Sequence, residues 1–308
     1  MINCPACERA RLEPTGQTVD LPQMLGIWER VIGRPLPKAV WDEYHDRTVA
    51  LARCAVCGFG RFEPVIVGSP AFYEAITETD YYVGDKWEFT TAIRDLQLEG
   101  LQRVLDYGGG SGGFLRRFRA AEPAADLSSC ELVEGTQASL AAEGHALLHG
   151  DGAALLSMAA SIPSFDAITC FQVLEHVEKP LELIEAFAAL LRPGGVLILS
   201  TPDAGGPISN FPEALTEVPP HHVTQWTQSA FRALLPRMGF VVERVRHEPL
   251  PDYLWADYLP VQWPDVWPAA FFDIPGGCAE ALKAAGARHL FGVPGHTVYV
   301  RARLVGSN

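Results

Sequence analysis

The sequence predicts an α/β fold built on a parallel sheet, preceded by a small cysteine-bearing region. Three observations carry that expectation. Between about residues 90 and 247, short β-branched runs alternate with helical patterns, the signature of βαβ units. One run ends in Asp106-Tyr107 and opens into Gly108-Gly109-Gly110-Ser111-Gly112-Gly113 before a helix begins at Phe114. Two Cys-x-x-Cys pairs, Cys4/Cys7 and Cys54/Cys57, bracket a stretch rich in Trp and Pro within residues 1–70.

Taken in order, Arg103–Tyr107 is a short apolar strand leading into the glycine cluster. Leu127–Val133 is a second strand and Thr136–Glu143 a helix. Ala146–His149 is a third strand, with a helix near Ala153–Ala160. Phe165–Phe171 reads as a buried fourth strand, and Pro180–Leu191 as a helix with Pro in its first turn. Arg192-Pro193-Gly194-Gly195 reads as a turn and Val196–Ser200 as a fifth strand. Thr227–Met238 is helical and Phe240–Arg246 a sixth strand. Residues 248–292 are crowded with aromatics and prolines, after which His296–Leu304 alternates like a strand. The expected division is 1–70 as a zinc-binding region, 71–99 as connecting or lid helices, and 100–308 as the main domain with an aromatic-rich insertion at 248–292.

Composition narrows the function classes. The 308 residues carry 24 Lys+Arg against 37 Asp+Glu, a formal charge of −13, with 48% hydrophobic and 20% charged residues. That is the balance of a globular chain, and its acidity argues against a nucleic-acid partner, which needs local cations to displace counterions. The run Arg116, Arg117, Arg119 reads as the solvated face of a helix. No apolar run approaches the ~20 residues of a membrane span. The opening Met-Ile-Asn-Cys-Pro-Ala-Cys lacks a basic n-region and an apolar h-region, so no signal peptide is expected. The expectation is a cytoplasmic protein with reduced cysteines and no membrane partner.

The strand–glycine–helix unit marks a nucleotide-cofactor loop, because glycines let the backbone turn sharply and approach a ligand closely. Gly108, Gly110 and Gly113 also satisfy G-x-G-x-x-G, so a dinucleotide and a nicotinamide-dependent oxidoreductase remain open on this motif alone. Either reading expects an acidic residue after the second strand to accept from a ribose diol. Glu131 fits, with Glu134 as the neighbour. Asp151, in Gly150-Asp151-Gly152 after the third strand, could accept from an adenine amino group. The fourth strand runs into Phe171-Gln172-Val173-Leu174-Glu175-His176-Val177.

The whole order, Val104-Leu105-Asp106-Tyr107-Gly108-Gly109-Gly110-Ser111-Gly112, Glu131, Asp151, Phe165-Asp166-Ala167-Ile168, Val173-Leu174-Glu175-His176-Val177 and Leu191-Arg192-Pro193-Gly194-Gly195, resembles class I S-adenosylmethionine-dependent methyltransferases. It looks most like the small-molecule branch typified by ubiquinone-biosynthesis methyltransferases, and the resemblance spans roughly 100–250. Tyr107-Gly108-Gly109 departs from the smaller residue and Gly-Cys that many relatives carry there. The resemblance implies a Rossmann-like seven-stranded sheet whose last strand inserts antiparallel. It implies that Asp106 with Gly108, Gly109, Gly110 and Gly112 holds the methionine end of S-adenosylmethionine, beside Tyr107. Glu131 would hold the ribose and Asp151 with Gly152 the adenine, while Phe171 and Gln172 line the wall and Tyr82 closes from a lid. It further implies methyl transfer to a small-molecule acceptor, sugar-linked or a secondary metabolite, with O-methylation ahead of C-methylation. A non-catalytic module in which the zinc region recruits a partner is the remaining alternative.

Cys4, Cys7, Cys54 and Cys57 form two knuckles able to offer four thiolates to one tetrahedral Zn²⁺, a structural site because no coordination position stays open. Redox dithiols are the alternative. Cys130, Cys170 and Cys278 read as core residues. A zinc knuckle ahead of such a domain also resembles the sugar C-methyltransferases of deoxysugar pathways, though with different spacing. For the acceptor, His176 after the fourth strand and the pair His221-His222 in a Pro-rich loop are candidate bases, needed where the acceptor must lose a proton. A packing role at a helix start is the alternative for His176. The 248–292 segment reads as an acceptor lid, extra core or a homodimer contact.

Overall fold

The computed structural model describes residues 2–77, 86–251, 254 and 294–306. Strand β1 (Leu12–Asp20) turns directly into helix α1 (Leu21–Ile32). Asp20 Oδ1 accepts from the Gln23 N–H at 2.8 Å, Pro22 sits in the first turn, and Gly33 closes the helix in the left-handed region at φ 72°. Leu21, Leu25 and Trp28 recur at helical spacing and are buried. Helix α2 (Lys38–Tyr44) and strands β2 (Thr48–Cys54) and β3 (Gly60–Glu63) follow, then α3 (Pro70–Thr77). Together they enclose a core of Trp28, Tyr44, Phe62 and Phe72. Each such ring or aliphatic chain withdrawn from water contributes roughly 1.5–3 kcal/mol.

After α4 (Trp87–Gln97) the chain alternates: β4 (Arg103–Tyr107), α5 (Gly113–Ala121), β5 (Asp126–Cys130), α6 (Glu134–Ala142), β6 (Ala146–Leu148), α7 (Gly152–Met158), β7 (Phe165–Phe171), α8 (Pro180–Leu190) and β8 (Leu191–Pro202). Then come β9 (Thr224–Gln225), α9 (Gln228–Arg237), β10 (Phe240–Pro249) and β11 (Pro294–Leu304). One sheet has seven strands in the order β10-β11-β8-β7-β4-β5-β6. Strands β8, β7, β4, β5 and β6 run parallel, while β11 is antiparallel to both β8 and β10. This is the α/β fold expected, with the last strand inserted antiparallel. Six of the seven β7 residues are buried, as a strand covered on both faces requires.

Two local expectations are corrected. The second strand stops at Cys130 rather than Val133, because the Glu131 carboxylate accepts from the N–H groups of Leu132 and Val133 and draws the chain out of the ladder. Arg192–Gly195 is not a turn between elements. Leu191 pairs with Phe165 and Val196 resumes against Ala167, so these four residues form an irregularity inside β8, with Gly194 at φ 75°.

A second sheet, antiparallel, has the order β1-β2-β3-β9. Its edge strand β9 comes from the loop that follows β8, so the late chain closes the N-terminal sheet. Next to it Trp226 is fully buried between Phe59 and Phe231, with ring centroids 4.9 Å from each. The main core joins Cys4, Cys57 and Phe59 to Leu105, Ile168 and Leu199 in one buried cluster. Tyr82, Cys278 and all of the 248–292 segment beyond residues 248–251 and 254 lie outside the described residues, so the lid and homodimer expectations fall there. Among the described residues no helix is long and apolar enough to cross a membrane.

Candidate active site

The carboxyl ends of β4, β5 and β7 open on a cavity of about 400 Å³. Gly108 leaves β4 at φ 72°, and a Cβ there would sit 2.3 Å from Val173 Cγ2, so only glycine lets the loop cross the chain after β7. Beneath the loop, Asp106 is 2% exposed and accepts from the Thr169 hydroxyl at 2.7 Å. Burial pushes its carboxyl up to about 7; the Thr169 hydrogen bond opposes this and the nearby Glu131 charge adds to it. Glu131 binds the loop as well as its own turn: Oε2 accepts from the Gly110 N–H at 2.8 Å, and Oε1 from Leu132 and Val133 at 2.7 and 3.1 Å.

Six of the residues expected at the cofactor line this cavity: Tyr107, Gly108, Glu131, Asp151, Gly152 and Gln172. Asp151 caps α7 by accepting from the Ala154 N–H at 3.0 Å. Gly152 has a packing reason besides, since a Cβ would lie 2.8 Å from the Leu183 nitrogen of α8. Gln172 holds φ 55°, with its N–H on the Ser200 carbonyl and its side-chain amide on Glu88 at 3.2 Å. Asp106, Gly109, Gly110, Gly112 and Phe171 are not among the lining residues. The Phe171 ring faces the core instead, 5.2 Å from Phe89 and 5.0 Å from Phe114.

The far end of the cavity is lined by Gly68, Pro70 and Tyr73 of the N-terminal region together with His176. Tyr73 bears no motif that sequence reasoning could seize; the tertiary approach of α3 alone brings it here. Its hydroxyl lies 2.9 Å from His176 Nδ1 and donates to the His221 carbonyl at 3.2 Å. His176, His221 and His222 come together, with ring centroids 4.5 to 4.6 Å apart. Burial, reinforced by His222, holds His176 and His221 well below the ordinary histidine range. Burial also works against a charge on His222, but Glu217, whose Oε2 lies 3.5 Å from Nδ1, and Glu175 outweigh it and raise its pKa.

In the N-terminal region, Cys4 Sγ lies 3.6 Å from Cys57 Sγ, and Cys7 Sγ 3.6 Å from Cys54 Sγ. All four sulfurs fall within 4.8 Å of one another. These separations are too long for a disulfide and near the roughly 3.8 Å edge of a tetrahedron with ~2.3 Å metal–sulfur bonds. The four residues are at most 5% exposed, and Arg237 of α9 donates to the carbonyls of Pro5 and Ala6 at 2.8 and 2.7 Å. Cys130 and Cys170 are buried in the main core.

Known proteins place this architecture. A family model described as a methyltransferase domain matches residues 80–245, more than half of the chain. The ubiquinone biosynthesis O-methyltransferase of Xanthomonas campestris pv. campestris (strain B100) is 42% identical over 103 residues, covering 32% of this chain and 42% of that protein. The protein of the same name from Xanthomonas euvesicatoria pv. vesicatoria (strain 85-10) is 41% identical over 115 residues, covering 34% and 45%. The chain thus spans less than half the length of these relatives. Among solved structures, magnesium protoporphyrin IX methyltransferase from Synechocystis PCC 6803, with bound S-adenosylhomocysteine, is 15% identical with a TM-score of 0.45, covering 72% of this chain and 84% of that one. A S-adenosylmethionine-dependent methyltransferase from Archaeoglobus fulgidus is likewise 15% identical with a TM-score of 0.45, covering 70% and 94%. The match over residues 80–245, on the seven-stranded sheet and glycine loop described above, sets the dinucleotide alternative aside: the chain belongs to the class I S-adenosylmethionine-dependent methyltransferases.

Proposed function

We propose that this chain transfers a methyl group from S-adenosylmethionine to a hydroxyl of a small-molecule acceptor, sugar-linked or a secondary metabolite. One observation carries the reading: a single cavity joins the acidic end formed by Glu131 and Asp151 to the histidine end formed by Tyr73 and His176. The cofactor, when bound, supplies an electrophilic sulfonium methyl. Glu131 accepts from the ribose hydroxyls, Asp151 with the backbone at Gly152 reads the adenine, and the loop from Gly108 to Gly112 above Asp106 takes the methionine end. Tyr107 and Gln172 close the wall, and Tyr82 is assigned to the lid. At the other end the histidine group is where the acceptor hydroxyl loses its proton as its oxygen attacks the methyl. Most of the rate then comes from holding that oxygen in line.

Residues 1–70 are assigned as a zinc-binding region, with Zn²⁺ held by Cys4, Cys7, Cys54 and Cys57. Four buried thiolates at near-tetrahedral spacing support a structural ion. Residues 71–99 connect it to the methyltransferase domain of 100–308. The formal charge of −13 supports a small acceptor over a nucleic acid, and a cytoplasmic setting suits the reduced cysteines.

The test is a calorimetric titration of the protein with S-adenosylmethionine, with NADH in parallel. Binding of the first and silence from the second supports the reading. Binding of NADH alone overturns it.

A further inference from the structure

We propose that His176, His221 and His222 bind a divalent transition-metal ion beside the acceptor end of the cavity, where His176 lines the wall and His221, His222 and the carboxylate of Glu175 are buried next to it. Each histidine offers a ring nitrogen, and the three nitrogens lie within 4.8 Å of one another. An ion with imidazole nitrogens at ~2.0–2.1 Å needs them roughly 3.3 Å apart, so a small inward movement completes the shell.

The ring orientations fit ligation. His176 Nδ1 faces the His221 carbonyl at 2.7 Å, and His221 Nδ1 faces the Thr216 carbonyl at 2.8 Å. A carbonyl only accepts, so both Nδ1 atoms carry the proton and both lone pairs sit on Nε2. His222 Nδ1 lies 3.5 Å from Glu217 Oε2. A carbonyl or carboxylate behind each imidazole is the arrangement that orients metal-bound histidines.

Glu175 supplies the independent sign. It is 1% exposed, neither carboxylate oxygen has a hydrogen-bond donor among the described residues, and Oε1 lies 3.9 Å from His222 Nε2. A buried carboxylate left so is costly, and a cation beside it removes the cost. Three imidazoles with one carboxylate suit zinc, iron, cobalt or nickel and disfavour magnesium and calcium. Binding of the ion needs nothing from the functional reading; only its task rests on that reading, the ion polarising the acceptor hydroxyl while Glu175, in place of a ligated imidazole, takes its proton.

The full chain, stripped with a chelator, is titrated with Co²⁺ while visible absorption and metal per chain are followed. The four-sulfur site reports itself by thiolate charge transfer. The expected result is a further ion whose d–d absorption carries no sulfur band, and which is lost in both His176→Gln and His222→Gln but kept in a control, His45→Gln. S-adenosylmethionine binding, measured on the same samples, reads the cofactor end separately, so loss of the ion and failure of the methyltransferase reading are told apart. A wild-type chain that takes up only sulfur-bound cobalt overturns the proposal, whatever the variants do. Persistence of the further ion in both histidine variants overturns it equally.

Discussion

Glu131 Oε2 accepts the Gly110 N–H at 2.8 Å, so the carboxylate that ends the second strand of the parallel sheet also braces the loop that follows the first. On the proposed reading, in which Glu131 also holds the ribose, cofactor contact and loop shape depend on one side chain. Glu131→Gln should weaken S-adenosylmethionine binding about 10- to 100-fold, the equivalent of a charge-assisted hydrogen bond of ~1.5–3 kcal/mol. Calorimetry reads this directly; an unchanged dissociation constant would remove Glu131 from the cofactor site.

Gly108→Ala meets two obstacles, a backbone at φ 72° and the Val173 methyl 2.3 Å from the new Cβ. The expected loss is ~1–3 kcal/mol from the backbone conformation, with the collision added. Val173→Ala in the same chain should recover the collision and leave the backbone part. Thermal melts of the two singles and the double separate them, and Gly108→Ala melting like wild type contradicts both.

Asp106 makes stability depend on pH. Its folded-state value, about 7, lies above the usual ~3.9 of an unfolded aspartate, so the native state holds the proton more tightly. That contribution is complete below about pH 4 and is lost as pH rises through about 7. Asp106→Asn keeps an acceptor for the Thr169 hydroxyl and removes the titration. Other buried carboxyls, Glu175 and Glu248, are raised in the same direction, so the informative quantity is the difference between the two proteins. Urea midpoints across that interval should show wild type losing ground to the variant by a few kcal/mol. Parallel curves would deny Asp106 the role.

Cys54→Ser should abolish zinc at the four-sulfur site and lower the melting temperature by several degrees, because a structural zinc site carries folding free energy. Atomic spectroscopy of the purified protein gives the metal count. A variant retaining both its sulfur-bound zinc and its melting point would reassign the cluster.

Much of this architecture was legible in the sequence. Strand runs such as Phe165–Phe171 announce burial on both faces, and the Asp106-to-Gly112 segment announces the loop. The four cysteines carry their own spacing. What escaped reading depends on partners far along the chain. Tyr73 is an ordinary helix residue until α3 brings its hydroxyl to His176. Phe171 reads as a wall residue by position, yet Phe89 and Phe114 draw its ring into the core. The three histidines read as two separate candidates, 45 positions apart for His176 and His221, and only the tertiary fold makes them one group.

Strand β9 pairs Gly60 with Gln225 and Arg61 with Thr224, and the Thr227 hydroxyl donates to the Cys57 carbonyl at 2.6 Å. The loop bearing His221 and His222 is therefore stitched to the cysteine region at its downstream end. Residues 1–70 also supply Trp28, whose ring lies 5.6 Å from that of His221, so removing them would take away packing from beside the histidines. On the proposed reading, exchanging the N-terminal region for another would change which acceptors are received, so the cysteine region would act as an inherited determinant of selectivity rather than an ornament on the fold.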